Sequence, residues 1–409
     1  MEVSELHKTT DFGGAALGTV ANKVAKGNVF GIQTTQENRN RIYNLRFTAQ
    51  SFLQDFKSKA GKTARICHCG KTPTELALYV PGVGRMSTDV TPTIKRNNDG
   101  IYFSGLQTCG SVWVCPICSL KISQQRRMEV FKITAEMNRR PGVNAGHLVL
   151  TLRHDKSDSL NVVKKILLKS WRQTMQAREY RDLCKQYKHL GDIRTLEVKV
   201  SQRTGWHPHL HILMFGISSQ DEMENFAASI ISLYCRKNER ASLEGQYYKG
   251  IYNEGDIEEY LTKWEISDEL TMTNMKTGKK EKDSYTPWDL LQNTELNTRW
   301  KVHRFREYAK EMIGNRQMTF SKEVRKIREQ MKIKTDEEIV KEKQIEAEEL
   351  LAIDVPVWRK ITDNYLQPDI LNNFENGGVP MVQRLLEQYG INTFYDPAAG
   401  ILTLAGPPG

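Results

Sequence analysis

Apolar and polar positions alternate most regularly along two neighbouring stretches, Ile193-Arg194-Thr195-Leu196-Glu197-Val198-Lys199-Val200 and Gly205-Trp206-His207-Pro208-His209-Leu210-His211-Ile212-Leu213-Met214-Phe215. A period of two predicts strands, and the polar connection Ser201-Gln202-Arg203-Thr204-Gly205 predicts an antiparallel hairpin between them. Gly146 to His154 reads as a buried apolar strand, and Tyr247 to Asn253 as a shorter one. Helical periodicity covers Gln33 to Lys57, Ser119 to Arg140, Ser157 to Tyr187 as one crossover helix, and Asp256 to Trp264. Ser218-Ser219-Gln220-Asp221-Glu222 is a capped start for a helix reaching about Lys237. Asn297 to Gly314 and the charged run Thr335 to Leu351 also read as helices, Thr271 to Tyr285 as a hairpin with a basic tip, and Val355 to Gly409 as a short helical tail. The expectation is an α+β chain with a central antiparallel sheet flanked by helices.

Alternation has a chemical consequence on the second stretch. It puts His207, His209 and His211 on one face, while Leu210, Ile212 and Met214 enter a core on the other. Same-face neighbours lie roughly 6.5 Å apart, so two imidazoles can share an ion, whereas His207 and His211, about 13 Å apart, cannot. A third ligand must come from the adjacent strand, which supplies Glu197. A carboxylate with two imidazoles suits Mg²⁺, Mn²⁺ or Zn²⁺, the first two in a nucleic-acid enzyme. The bland alternative is a half-buried strand with solvated histidines.

Composition narrows the partners. Among 409 residues, Lys and Arg number 59 against 49 Asp and Glu, a net charge of +10 that favours a polyanion, nucleic acid or an anionic membrane surface. No apolar run approaches the ~18 residues of a membrane span, and the N-terminus lacks a signal-peptide core, which points to the cytoplasm. Five of the seven cysteines fall between Cys67 and Cys118. The knuckle Cys115-Pro116-Ile117-Cys118 aims two thiolates at one tetrahedral Zn²⁺, with Cys69 and Cys109 as the remaining ligands and Cys67 or His68 as substitutes. Cys184 and Cys235 lie in helical patterns as buried free thiols.

His209-Leu210-His211 resembles the His-hydrophobe-His signature of the HUH endonuclease superfamily. Leu196-Glu197-Val198 followed by His-Pro-His-Leu-His resembles plasmid rolling-circle replication initiators in particular, over roughly Cys69 to Arg325. Their Cys-Gly, their later Cys before Cys-Pro-x-Cys, and a following basic helix correspond to Cys69-Gly70, Cys109, Cys115 to Cys118 and the segment bearing Arg126, Arg127 and Lys132. Gly146 to His154 is similar to their first motif, and Arg316 to Arg325 to the segment closing their nuclease domain.

The pattern sets apart a polar and helical extension over 1–60 and a helical C-terminal region over 331–409, and between them the resemblance implies a zinc-binding module over 61–140 and an HUH nuclease domain over 141–330. It implies that Glu197, His209 and His211 hold Mg²⁺ or Mn²⁺ and that Tyr260 attacks DNA to form a 5′-phosphotyrosine. Lys263 then supports the phenolate, and Asp256 occupies the place of a carboxylate that is usually Glu. On a helix these three residues share one face, and Tyr252 is the competing nucleophile. The implied partners are a replication origin presented as a hairpin or single strand, a host helicase and a host polymerase, with a homodimer left open. No Gly-x-x-x-x-Gly-Lys-Ser/Thr loop occurs to supply helicase activity in the same chain. An HUH transposase or mobilisation relaxase is the alternative within the class, and a non-catalytic zinc-containing DNA-binding protein the alternative outside it.

Overall fold

The computed structural model describes residues 36–57, 61, 63–80, 84–97, 100–252, 283–332, 334–335, 338–339 and 347–406. The chain runs through α1 (Gln36–Leu53), a 3-10 turn at Arg65–His68, and four short strands, β1 (Glu75–Val80), β2 (Gly84–Asp89), β3 (Thr93–Asn97) and β4 (Gly100–Ser104). Next come α2 (Pro116–Asn138), β5 (Asn144–Leu150), α3 (Leu160–Gln176), α4 (Arg178–Gln186), β6 (His189–Ser201), β7 (Gly205–Gly216), α5 (Gln220–Lys237) and β8 (Tyr247–Ile251). Then follow α6 (Asp289–Gln292), α7 (Thr298–Met312), β9 (Met318–Phe320), α8 (Lys322–Gln330), β10 (Glu348–Ile353), α9 (Val355–Asp363), α10 (Gln367–Gln388), β11 (Thr393–Asp396) and β12 (Ile401–Leu404).

The two alternating stretches become β6 and β7, the centre of a sheet ordered β8-β5-β7-β6-β9 in which every neighbouring pair is antiparallel. Their turn closes at Ser201 opposite Gly205. Gly205 has φ +79, and a Cβ there would sit 2.8 Å from the Asp155 carbonyl oxygen, so only glycine fits. The Asp283 carboxylate ties the turn down, accepting from Ser201 Oγ at 2.7 Å and from the amides of Gln202 at 2.9 Å and Arg203 at 3.1 Å.

One face of this sheet is mostly apolar. Trp206, Leu210, Ile212 and Met214 of β7 join Leu196, Val198 and Val200 of β6 and Leu148 and Leu150 of β5 in the largest core, under α3 and α5. Helix α5 forms as expected because Ser219 accepts from the Glu222 amide while Glu222 accepts from the Ser219 amide, and Met223, Phe226, Ala227, Ile230, Leu233 and Tyr234 make one buried stripe. Truncating Ile212 to Ala there costs about 2–5 kcal/mol through the cavity it leaves. The opposite face is divided. Ile193, Leu213, Phe215, Ala145 and Met318 are covered by α2 and α8, through Val130, Ile133 and Met137 and through Val324 and Ile327. The histidine end of that face carries no such layer among the described residues.

Two expectations need correction. The single crossover helix over 157–187 is two helices, because Ala177 adopts an extended ψ of 143° and lets Tyr180 of α4 turn its ring onto Trp171 of α3 at 5.9 Å. The C-terminal region is also not simply helical. Strand β10 pairs antiparallel with β3 and parallel with β12, building a second sheet ordered β11-β12-β10-β3-β4. Glu348 to Leu351, read as the end of a charged helix, is strand because Leu351 and Ile353 face a core of Ile94, Trp358, Ile370, Val382 and Leu402. Helix α10 breaks at Gly377-Gly378, where Gly378 has φ +64. The expected helix over Asp256 to Trp264 and most of the basic-tipped hairpin lie outside the described residues. No helix among the described residues is long and apolar enough to cross a membrane.

Candidate metal centres

Glu197 and His209 face each other directly across β6 and β7, and His211 lies one same-face step further along. The ligand atoms of the three residues fall within 4.8 Å of one another. Glu197 Oε2 is 2.9 Å from His211 Nε2 and 3.4 Å from His209 Nδ1, while Lys199 Nζ holds the other carboxylate oxygen, Oε1, at 3.0 Å. Burial alone would raise the Glu197 carboxyl, yet the two imidazoles and the Lys199 charge outweigh it and hold it well below the usual range. Burial lowers His211 despite the neighbouring carboxylate. A carboxylate and a neutral imidazole aimed at one point are what metal ligation requires, so the donor set fits a divalent cation.

His207 stands outside this trio. Its ring contacts His209 at 4.2 Å and His154 at 4.3 Å, and burial, then the His209, His154 and Lys199 charges, push it down to about 3. The expectation that two of the three histidines converge with Glu197 matches this arrangement. Sequence reasoning gave His147 no part in the site. It is 3% exposed on β5, and its Nε2 lies 3.1 Å from His211 Nδ1. Only the register between β5 and β7 brings the two together, so no local signal marks it.

Asp256, Tyr260 and Lys263 lie outside the described residues. Tyr252 is described, and its ring packs 3.0 Å from where a Gly250 Cβ would stand. Gly250 alternates with Lys249, which shares the histidine face through His147, so the Tyr252 ring lies on the side away from Glu197.

The second centre is made of cysteines. Cys69 follows the 3-10 turn, Cys109 lies between β4 and α2, and Cys115 and Cys118 sit at the start of α2. All four are buried, with Sγ separations of 3.7 Å for Cys69 to Cys115, 3.7 Å for Cys69 to Cys118 and 3.6 Å for Cys109 to Cys118. Four thiolates at ~2.3 Å from one Zn²⁺ stand about 3.8 Å apart, so the cage has the right size. Hydrogen bonds from its three neighbours lower the Cys69 thiol well below its ordinary value, while the same contacts hold Cys109 well above it. A cation would release the remaining protons. The proposed substitutes point elsewhere, Cys67 Sγ to the Leu53 carbonyl at 3.5 Å and His68 Nδ1 to Thr72 Oγ1 at 3.3 Å. On the basic helix, Arg126 is buried and paired with Glu129, and the same carboxylate takes Arg328, so Glu129 braces α2 against α8.

Residues 104–226 match the Replication protein family. The chain is also 27% identical over 156 residues to Protein rep of Streptomyces lividans, covering 32% of this chain and 34% of that protein. It thus spans about a third of the length of the curated relative it matches. No solved structure matches. The family match runs from β4 into α5 and contains Cys109, Cys115, Cys118, Glu197, His209 and His211, every candidate ligand except Cys69. Over the segment that carries every candidate ligand but Cys69, the chain is similar to replication initiator (Rep) proteins.

Proposed function

We propose that this protein initiates rolling-circle replication of a plasmid by nicking, and later rejoining, one DNA strand at a specific origin sequence through a 5′-phosphotyrosine. One observation carries the reading: a depressed carboxylate and two imidazoles converge on one sheet face, inside the segment similar to replication proteins. Bound Mg²⁺ or Mn²⁺ would draw charge from a scissile phosphate oxygen. Glu197, His209 and His211 would hold it, and Lys199 keeps Glu197 Oε2 turned toward the two rings by occupying Oε1. Tyr260 is the proposed nucleophile, attacking phosphorus while the 3′ oxygen leaves as a hydroxyl for a host polymerase to extend. Phenol ionises only near pH 10, so Lys263 is assigned to steady the phenolate. Asp256 is assigned to ending the cycle. The four cysteines are assigned a structural Zn²⁺ that anchors α2. With a host helicase opening the duplex, the protein would work in the bacterial cytoplasm.

Incubation of the full chain with supercoiled plasmid carrying its origin tests this. Wild type should yield nicked circles with Mg²⁺ or Mn²⁺ and none with chelator. His209→Ala and His211→Ala should each abolish nicking yet bind DNA nearly as well, since affinity comes mainly from phosphate contacts. His207→Ala should be milder, and equal loss for all three would overturn the ligand set. Origin binding without any nicking would favour a zinc-containing DNA-binding protein instead.

A further inference from the structure

A cavity of about 760 Å³ opens beside the metal centre, at the turn end of β6 and β7. Its walls carry Arg153, His154, Lys199, Arg203, His207 and Arg240. Lys199 and His207 belong to it and also touch the Glu197 site, so cavity and metal centre are continuous. We infer that this cavity receives one unpaired nucleotide of the DNA strand, next to the phosphate held at the metal centre. The inference rests on the reading above that DNA is the substrate, and it adds where the strand leaves the site.

Charge favours a polyanion. Four permanent cations meet three carboxylates, Lys199 paired with Glu197, Arg203 with Asp283 and Arg240 with Asp158, so the lining keeps an excess of positive charge. The volume falls within the ~300–1,000 Å³ of a pocket for one small ligand, which accommodates a base with its phosphate and leaves no place for a duplex. The rings supply the other half of nucleotide recognition. His154 is fixed by its Nδ1 contact to the Thr204 carbonyl at 2.7 Å, and its ring meets His207 at 4.3 Å, which in turn meets His209 at 4.2 Å. The three rings, tilted 45° and 60° to one another, offer a splayed base a run of imidazole faces and edges to pack against, leading from cavity to ion. The strand therefore exits toward the β6–β7 turn.

The test measures fluorescence anisotropy of a labelled oligothymidylate with the full chain in chelator, beside the same sequence annealed to its complement. Arg153→Ala and His154→Leu should each weaken single-strand binding about tenfold, as loss of a phosphate contact or a stacking surface does, while duplex binding holds. Arg203→Ala should behave alike and should fold normally, because its side chain is 82% exposed. Lys169→Ala, on the exposed surface of α3, should change neither. Equal loss on single strand and duplex would overturn the pocket in favour of a general charged surface, and unchanged binding would overturn it outright. Pocket-dependent binding by a protein that never nicks plasmid would sink the proposed function and leave the pocket standing. Nicking with unaffected binding in the three variants would do the reverse.

Discussion

His147 and His211 meet with ring planes nearly parallel, 15° apart, and centroids 5.3 Å apart, with His147 Nε2 3.1 Å from His211 Nδ1. His211 turns its other nitrogen, Nε2, to Glu197. For Nε2 to offer a lone pair to a cation, the ring proton must sit on Nδ1, and His147 is placed to accept it. His147→Leu should therefore weaken Mn²⁺ binding by about 10–100-fold, read by titration calorimetry, while oligonucleotide binding stays as in wild type. Unchanged Mn²⁺ affinity would show that the tautomer is set elsewhere.

The nucleophile assignment is open to a direct chemical readout. Tyr260→Phe removes one oxygen and keeps the ring, so the covalent adduct should vanish while the fold remains, and mass spectrometry of wild type should place the 5′-phosphate on Tyr260. Tyr252→Phe should keep the adduct, in line with a ring turned away from Glu197. Adduct on Tyr252 would reverse the assignment. Asp256→Ala should retain nicking and alter only release of the adduct.

Purified protein should contain about one tightly held Zn²⁺, since the four cysteines form a closed tetrahedral cage. Cys115→Ser leaves three ligands in a fully buried site and should lower the yield of folded protein, because metal binding and folding are coupled. Metal analysis finding no zinc in well-folded protein would end this assignment. Mild chelation should remove nicking before it removes the zinc, and added Mn²⁺ should restore it.

Acid should destabilise the metal-free protein through Glu197, His207 and His211. His211 is held below its ordinary value of about 6.5, so on acidification the unfolded chain takes up that proton first and the folded state loses stability. Glu197, held well below its ordinary value, adds a loss of the same sign as pH falls from about 4.3 through its folded value. Urea unfolding in chelator should show stability falling between about pH 7.5 and about pH 5.5, within the histidine range. His207, pushed down to about 3, adds to the same fall, so His211→Ala should flatten part of it, and an unaltered slope would assign it to other groups.

The hairpin and its metal face were legible because everything needed is local: a period of two, a short polar turn ending in glycine, and ligands at alternate positions from Glu197 to His211. The cysteine knuckle was legible for the same reason, as both thiolates leave one turn. What escaped is set by distant partners. His147 looked like one more residue of a buried strand until the β5–β7 register put it against His211. Glu348 to Leu351 follows a charged, helix-favouring run, and only pairing with β3 makes it a strand. Ala177 is a good helix former that yields to the packing of Tyr180 on Trp171.

The second sheet has a consequence for how the protein is made. β3 and β4 lie between Cys69 and Cys109 in the chain, yet β3 finds its other neighbour in β10, and the sheet ends on β12 at Leu404. A ribosome delivering about 5–20 residues per second exposes Ile94 many seconds before Leu351 and Leu402 emerge to cover it. Throughout translation the β3–β4 hairpin therefore waits with an unpaired edge and an uncovered apolar side, while all four cysteines are already outside the exit tunnel. Early capture of zinc would hold the base of that hairpin in place until the last strands arrive. A message truncated before β10 would release a protein with an intact hairpin of histidines and a sticky edge at β3.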